Sequence, residues 1–116
     1  MRITDLLDKQ SISLNGAPKD KKEALDQVVD LMAKSGKIND VEAYRQRVYA
    51  REEESTTGIG EGIAIPHGKC DAVTKPGLAA MVIKDGVDFD SLDDEPVNLL
   101  FLIAAPNTED NIHLDV

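Results

Sequence analysis

The chain is poor in cysteine and in aromatic residues. Its 116 residues include one cysteine, Cys70, no tryptophan, and an aromatic fraction of only 3%. A single cysteine excludes an internal disulfide framework, which fits a reducing compartment. Because large rings are scarce, we expect a core of aliphatic side chains, which a hydrophobic fraction of 41% can supply.

Basic clusters and long apolar runs are also absent. The net charge is −9, so we expect no nucleic-acid partner, because such proteins neutralise phosphates with lysine and arginine. The longest apolar run, 99–105, is too short to cross a bilayer, and no apolar leader follows Met1. We therefore expect a cytoplasmic protein that does not insert into a membrane. The acidic balance either favours a basic protein partner or only keeps the protein soluble.

Apolar periodicity predicts two helices in the first half of the chain. Asp20 and Glu23 form a capping-box pattern before a run of apolar residues at helical spacing, and Gly36 is expected to end that helix. Asp40 can cap a second helix that extends to about Glu53. A short helical turn is also predicted at residues 6 and 7.

The remaining pattern predicts strands over 11–14, 62–65, 78–83 and 97–104. The last two are apolar on successive residues, as in strands covered on both faces, so we expect helices on both sides of a central sheet. The link 84–96 has no helical pattern, which favours a mixed or antiparallel sheet there. With no repeat and no linker, we predict a single three-layer α/β domain.

The most informative stretch runs from Thr57 to Gly68 and reads TGIGEGIAIPHG. Pro66 and Gly68 bracket His67; proline fixes its own φ, and glycine lets the backbone turn sharply or approach a ligand. The glycines are spaced G-x-G-x-G with no helix after them, so this is not a dinucleotide fingerprint. It is not a P-loop either, because cysteine follows Lys69. We expect His67 on a stiff, accessible corner at the end of a strand, where an imidazole can react.

The stretch from Thr57 to Gly68 resembles the enzyme IIA domains of the bacterial phosphoenolpyruvate sugar phosphotransferase system, in the fructose/mannitol class. Two further segments share the resemblance, Arg51-Glu52 upstream and Asn-Ile-His-Leu at 111–114. The resemblance covers nearly the whole chain in order. It implies the mannitol/fructose-type IIA fold and a phosphocarrier function. In that role His67 would take a phosphoryl group from phospho-HPr and pass it to a cysteine of a IIB component, which works with a membrane IIC component.

The resemblance also implies supporting residues. His113 corresponds to the second active-site histidine of the family and Arg51 to its phosphate-binding arginine, while Thr57, Glu61 and Gly68 would bind or support the phosphate. The residues alone leave alternatives open. Arg51 continues the apolar stripe of the second helix and can be a snorkelling side chain. Glu61 can bond an imidazole or be only solvated, and His113 can be a surface residue at a helix start.

This chemistry requires no cofactor. A neutral imidazole is nucleophilic near physiological pH, and phosphoryl transfer depends mainly on positioning and charge stabilisation. Because no nucleotide has to be held, no metal is demanded. A zinc site made of His67, Cys70 and His113 would lack a fourth ligand, so we predict no metal site.

The sequence ends at Val116 in the middle of a helical pattern. Family members usually continue further, so we expect residues 1–116 to form one IIA domain that is cut short at its C-terminal end. Two functions stay open. One is a phosphocarrier in sugar uptake, most like the fructose branch. The other is a nitrogen-related regulatory IIA, or a IIA-like domain of a transcriptional regulator, that signals through its phosphorylation state.

Overall fold

The computed structural model describes residues 7–107, which form two helices and six strands. The helices are α1 (Lys21–Ala33) and α2 (Val41–Glu54). The strands are β1 (Leu7–Gly16), β2 (Gly58–Gly60), β3 (Ile63–Ala64), β4 (His67–Cys70), β5 (Gly77–Val87) and β6 (Val97–Pro106).

All six strands belong to one mixed sheet, in the order β1-β5-β6-β3-β2. β1 is parallel to β5, β5 is antiparallel to β6, and the short hairpin of β2 and β3 joins the sheet through a parallel pairing of β3 with β6. β4 continues in the direction of β3 and also pairs with β6 in parallel, with His67 opposite Ile103. β3 and β4 therefore pair one after the other with the same side of the long strand β6, and β5 pairs with its other side.

Both helices begin at the predicted aspartates. The Asp20 carboxylate accepts a hydrogen bond from the Glu23 amide at 2.8 Å, and Asp40 accepts one from the Ala43 amide at 3.1 Å. These bonds satisfy amide groups that the first turn of a helix leaves unpaired. Sequence capping signals therefore located both helix starts correctly.

α1 and α2 pack on the same face of the sheet. Their buried residues form one core with alternate residues of β5 and β6, and its members include Val28, Met32, Tyr44, Val48, Met81, Leu100 and Leu102. On the opposite face, Leu78 and Ala80 are buried whereas Phe101 and Ile103 are only half-buried.

The prediction of a single α/β domain built on a mixed sheet is confirmed. The link 84–96 contains no helix, and it connects two antiparallel strands as expected. The helical turn predicted at residues 6 and 7 is wrong for Leu7, which begins β1, and the strand predicted over 11–14 is part of this longer strand. Both helices of residues 7–107 pack on one face, so the helix layer predicted for the second face is not tested by the part of the chain that the structure describes.

Candidate functional site

His67 is the first residue of β4, and its backbone is fixed against β6. The carbonyl oxygen of Pro66 accepts a hydrogen bond from the Ile103 amide at 3.0 Å, and Pro66 itself is buried. The His67 side chain is half-buried, and its Nδ1 lies 3.2 Å from the carbonyl oxygen of Ile65. When Nδ1 carries the proton, it donates to this carbonyl and leaves the Nε2 lone pair for a reaction. The stiff position that the sequence predicts is found at the start of a strand, not at the end of one.

Gly68 contacts α2, not open space. A side chain at this position would place its Cβ 2.9 Å from Cε1 of Tyr44 and 3.0 Å from Cγ2 of Val48. The glycine therefore allows the helix to lie directly against β4. Because successive residues of a strand face opposite sides, His67 faces away from α2. Gly68 thus packs closely against α2, and its role at the phosphate stays a prediction.

Arg51 lies in the last turn of α2 with its guanidinium near the segment that follows. Its Nη1 donates to the carbonyl oxygen of Ser55 at 3.0 Å, and its Nε lies 4.0 Å from the carboxylate of Glu54. The side chain is half-buried. The Arg51 guanidinium therefore lies beside Ser55, a few residues before β2. Within residues 7–107 no hydrogen bond or ion pair joins Arg51 to His67.

The apolar stripe of α2 continues into Glu52, not into Arg51. The buried residues of this helix are Tyr44, Val48 and Glu52. The Glu52 carboxylate accepts hydrogen bonds from the Thr57 amide at 2.8 Å and from the Thr57 hydroxyl at 2.6 Å, and it lies 3.0 Å from Nζ of Lys21. The sequence indicated Glu52 only as part of the family resemblance, without a role, and did not indicate Lys21. The i, i+4, i+8 spacing of a carboxylate behind two apolar residues is the signal that could have found Glu52.

Thr57 is buried beside the site, but its hydroxyl points at Glu52. Its carbonyl oxygen accepts a hydrogen bond from the Ile65 amide at 3.0 Å, which places Thr57, just before β2, opposite a residue that precedes His67 by two positions. The hydroxyl hydrogen is used by the carboxylate. In this arrangement the hydroxyl is directed at Glu52, and its donation to a phosphate stays a prediction.

Glu61 lies in the turn between β2 and β3, where Gly60, Glu61 and Gly62 all have positive φ. Ile63 pairs with Leu99 and His67 with Ile103, so this turn and the imidazole are separated by about 13 Å along β6, at roughly 3.3 Å per residue. Within residues 7–107 Glu61 forms no hydrogen bond with His67, and its role beside an imidazole stays a prediction. The Glu61 amide instead donates to Asp93 at 2.9 Å, and this bond, with one from the Glu95 amide, lowers the pKa of Asp93.

Burial also changes the pKa of a side chain that packs against β4, that of Tyr44. The phenol of Tyr44 is buried, and this desolvation, with a smaller contribution from Cys70, raises the pKa of Tyr44. Tyr44 donates to the carbonyl oxygen of Ile103 at 2.9 Å, so the neutral phenol ties α2 to the strand opposite His67.

The predicted site residues are therefore only partly assembled. Thr57 and His67 lie close together through Ile65, Arg51 reaches Ser55 just before them, and Glu61 is distant. His113 lies outside the described residues. His67 and Cys70, three residues apart on β4, face opposite sides of the sheet. Within 7–107 no cluster of three or more His, Cys, Asp or Glu is arranged to hold a metal, and no helix there is long and apolar enough to cross a membrane.

Residues 5–116 match the sequence profile of the family described as "Phosphoenolpyruvate-dependent sugar phosphotransferase system, EIIA 2". The chain is 48% identical over 99% of its length to the fructose-specific EIIABC component of Bacillus subtilis, of which it spans only 18%. It is 40% identical over 98% of its length to the fructose-specific EIIA component of Haloferax volcanii and covers 74% of that protein.

Solved structures show the same fold. The nitrogen regulatory protein IIA-Ntr from Neisseria meningitidis superposes with a TM-score of 0.84 at 28% identity, over 92% of this chain and 73% of that one. The complex of enzyme IIA-mannitol with phosphorylated IIB-mannitol from Escherichia coli contains a chain that matches with a TM-score of 0.78 at 31% identity, over 90% of this chain and 74% of that one.

Proposed function

This chain belongs to the EIIA 2 family of the phosphoenolpyruvate-dependent sugar phosphotransferase system, and on that premise we propose that it carries a phosphoryl group on His67 during sugar uptake. Phospho-HPr would be the donor and a cysteine of a IIB component the acceptor. A membrane IIC component would be an indirect partner, and the protein would act on the cytoplasmic side.

The observation that carries this proposal is the orientation of the His67 ring. Its Nδ1 is 3.2 Å from the Ile65 carbonyl oxygen, so a proton on Nδ1 leaves Nε2 as the nucleophile. In the forward step the Nε2 lone pair attacks phosphorus and a P–N bond forms. The bond between phosphorus and the donor breaks, and its electron pair stays with the donor. Transfer to the IIB thiolate repeats this exchange with the roles of donor and acceptor reversed.

Charge on the transferring phosphoryl oxygens has to be balanced by nearby cations and donors. Arg51 is the candidate on α2, because its guanidinium binds Ser55, the first residue of the segment that leads to β2. His113 would assist as a hydrogen-bond donor, as the resemblance implies. Thr57, Glu61 and Gly68 would support the phosphate site by fixing the backbone conformation around it. We propose no metal and no cofactor for this transfer.

The substrate class follows from the relatives. The two fructose-specific proteins are 48% and 40% identical to this chain, which favours a fructose-type IIB as the acceptor. The likeness to IIA-Ntr favours a second candidate, a regulatory protein whose phosphorylation state controls a partner. Both functions use His67 in the same way, so the acceptor distinguishes them.

A transfer assay tests the proposal. The protein is incubated with phosphoenolpyruvate, enzyme I and HPr, and it should gain one acid-labile phosphoryl group that His67→Ala abolishes. The labelled protein is then mixed with a fructose-type IIB. Rapid transfer supports the uptake function, and a stable label in the presence of IIB supports the regulatory one. Absence of any label on the wild-type protein would contradict both.

A further inference from the structure

The most unusual group outside the reacting histidine is the carboxylate of Glu52. Its residue is only 7% exposed, and both of its oxygens are occupied by one neighbour, Thr57. Removing a carboxylate from water is costly unless hydrogen bonds and an opposite charge compensate for it. Here Lys21 supplies the charge, at 3.0 Å.

Lys21 is itself held in place from a second direction. Its ammonium lies 4.7 Å from the centre of the Phe89 ring, within the range of a cation–π contact. The hydroxyl of Thr56 donates to the carbonyl oxygen of Phe89 at 2.8 Å. The segment 55–57 between α2 and β2 is thus anchored by two adjacent threonines, one through Glu52 and one through Phe89.

The hydrogen bonds of Glu52 with Thr57 are connected to the His67 ring through one residue, Ile65. The Thr57 carbonyl oxygen accepts from the Ile65 amide at 3.0 Å, and the Ile65 carbonyl oxygen lies 3.2 Å from Nδ1 of His67. A movement of Thr57 would therefore displace Ile65, and the carbonyl that selects the protonated nitrogen of the imidazole would move with it.

We propose that Glu52 is a positioning residue for His67. By gripping the amide and the hydroxyl of Thr57, it fixes the Ile65 carbonyl and so keeps the proton of His67 on Nδ1 and the lone pair on Nε2. This inference rests on the proposed function of His67 as the phosphoryl carrier. It also reassigns Thr57, whose hydroxyl hydrogen serves Glu52 and not the phosphoryl group.

Four variants separate positioning from simple stability. In Glu52→Gln one carboxylate oxygen becomes an amide donor that cannot accept from Thr57. In Thr57→Val the hydroxyl is lost at nearly the same volume, and in Thr57→Ser it is kept. Glu53→Gln is the matched control, because Glu53 is the adjacent carboxylate on α2 and is exposed.

Two measurements are made on each protein in the full chain. Imidazole ¹⁵N chemical shifts report which nitrogen of His67 is protonated, and the phosphorylation rate per folded molecule reports transfer. Glu52→Gln and Thr57→Val should raise the population of the Nε2-protonated ring and slow phosphorylation by roughly 10- to 100-fold, the scale expected for a misplaced reacting group. Thr57→Ser, which keeps the hydroxyl that Glu52 binds, should restore the Nδ1-protonated ring that Thr57→Val loses, and Glu53→Gln should match the wild-type protein in both measurements.

The inference is overturned if Glu52→Gln and Thr57→Val melt at lower temperature while the ring protonation and the rate per folded molecule stay at wild-type values. If Glu52→Gln does not fold, the pair Thr57→Val and Thr57→Ser decides the matter alone. If the wild-type protein accepts no phosphoryl group, the proposed function fails, whereas the ¹⁵N shifts still test whether Glu52 controls the imidazole.

Discussion

The phenol of Tyr44 on α2 donates a hydrogen bond to the carbonyl oxygen of Ile103 on β6, over a distance of 2.9 Å. Ile103 is also the residue that pairs with His67 across the parallel strands. The core of the helix layer and the strand that pairs with His67 are therefore joined by one buried, uncharged phenol.

This contact predicts a stability change at alkaline pH. Burial raises the pKa of Tyr44 above that of an unfolded tyrosine, about 10. The phenol's contribution is therefore fully present below pH of about 10 and is lost as pH rises above that value, by up to about 1.4 kcal/mol per pH unit. Tyr44→Phe should lose about 1 kcal/mol at neutral pH but show a shallower alkaline decline.

Urea unfolding between neutral and alkaline pH measures this difference, with Tyr49→Phe as the control. Tyr49 is half-buried on the same helix and donates to Asp26. An alkaline slope that Tyr44→Phe leaves unchanged, or that Tyr49→Phe reduces equally, would contradict the assignment.

A methyl group at Gly68 should separate α2 from β4. Its Cβ would lie 2.9 Å and 3.0 Å from the side chains of Tyr44 and Val48, so Gly68→Ala is expected to cost about 1–3 kcal/mol of unfolding free energy, as overpacked cores do. Thermal unfolding measures the change. Lys69→Ala, at the exposed neighbouring position, should stay within about 0.5 kcal/mol of wild type. Equal melting temperatures for Gly68→Ala and wild type would show that α2 does not lie this close to β4.

Arg51 should affect phosphoryl transfer more than folding. Its partner Glu54 is largely exposed, and exposed pairs contribute about 0–1 kcal/mol. Arg51→Lys keeps the charge but loses the planar fork that can bind two phosphoryl oxygens, so we expect transfer to fall by about 10- to 100-fold with little change in melting temperature. Arg47→Lys, on an exposed part of the same helix, is the control. A wild-type rate of phosphoryl transfer in Arg51→Lys would show that Arg51 is only a surface residue without a role in transfer.

Sequence predicted the parts of the structure that depend on local rules. Asp20 and Asp40 marked the helix starts because a cap satisfies amides within the same turn. The apolar runs marked β5 and β6 because these strands are covered. The strand predicted over 62–65 is found as the shorter β3 (Ile63–Ala64), and a second short strand, β4, follows it and pairs with the same partner, β6.

The site was predicted less completely because its main contacts are distant in sequence or invisible to spacing. An apolar stripe that includes Tyr44 and Val48 can continue to Arg51 by a step of three or to Glu52 by a step of four. Only the contacts of Glu52 with Thr57 and Lys21 show that Glu52, and not Arg51, is the buried continuation of the stripe. Spacing also leaves open whether Glu61 bonds an imidazole or is only solvated, because the position of its turn depends on the pairing of β3 with β6.

Direct mapping of the phosphorylated nitrogen tests the central claim. The ¹⁵N-labelled protein is phosphorylated with phosphoenolpyruvate, enzyme I and HPr, and the coupling between ³¹P and the ring nitrogens is measured, with His67→Ala and His113→Ala as controls. We predict one phosphorus bound to Nε2 of His67, absent in His67→Ala and still present, though formed slowly, in His113→Ala. Phosphorus on Nδ1 of His67, or on His113, would contradict the account.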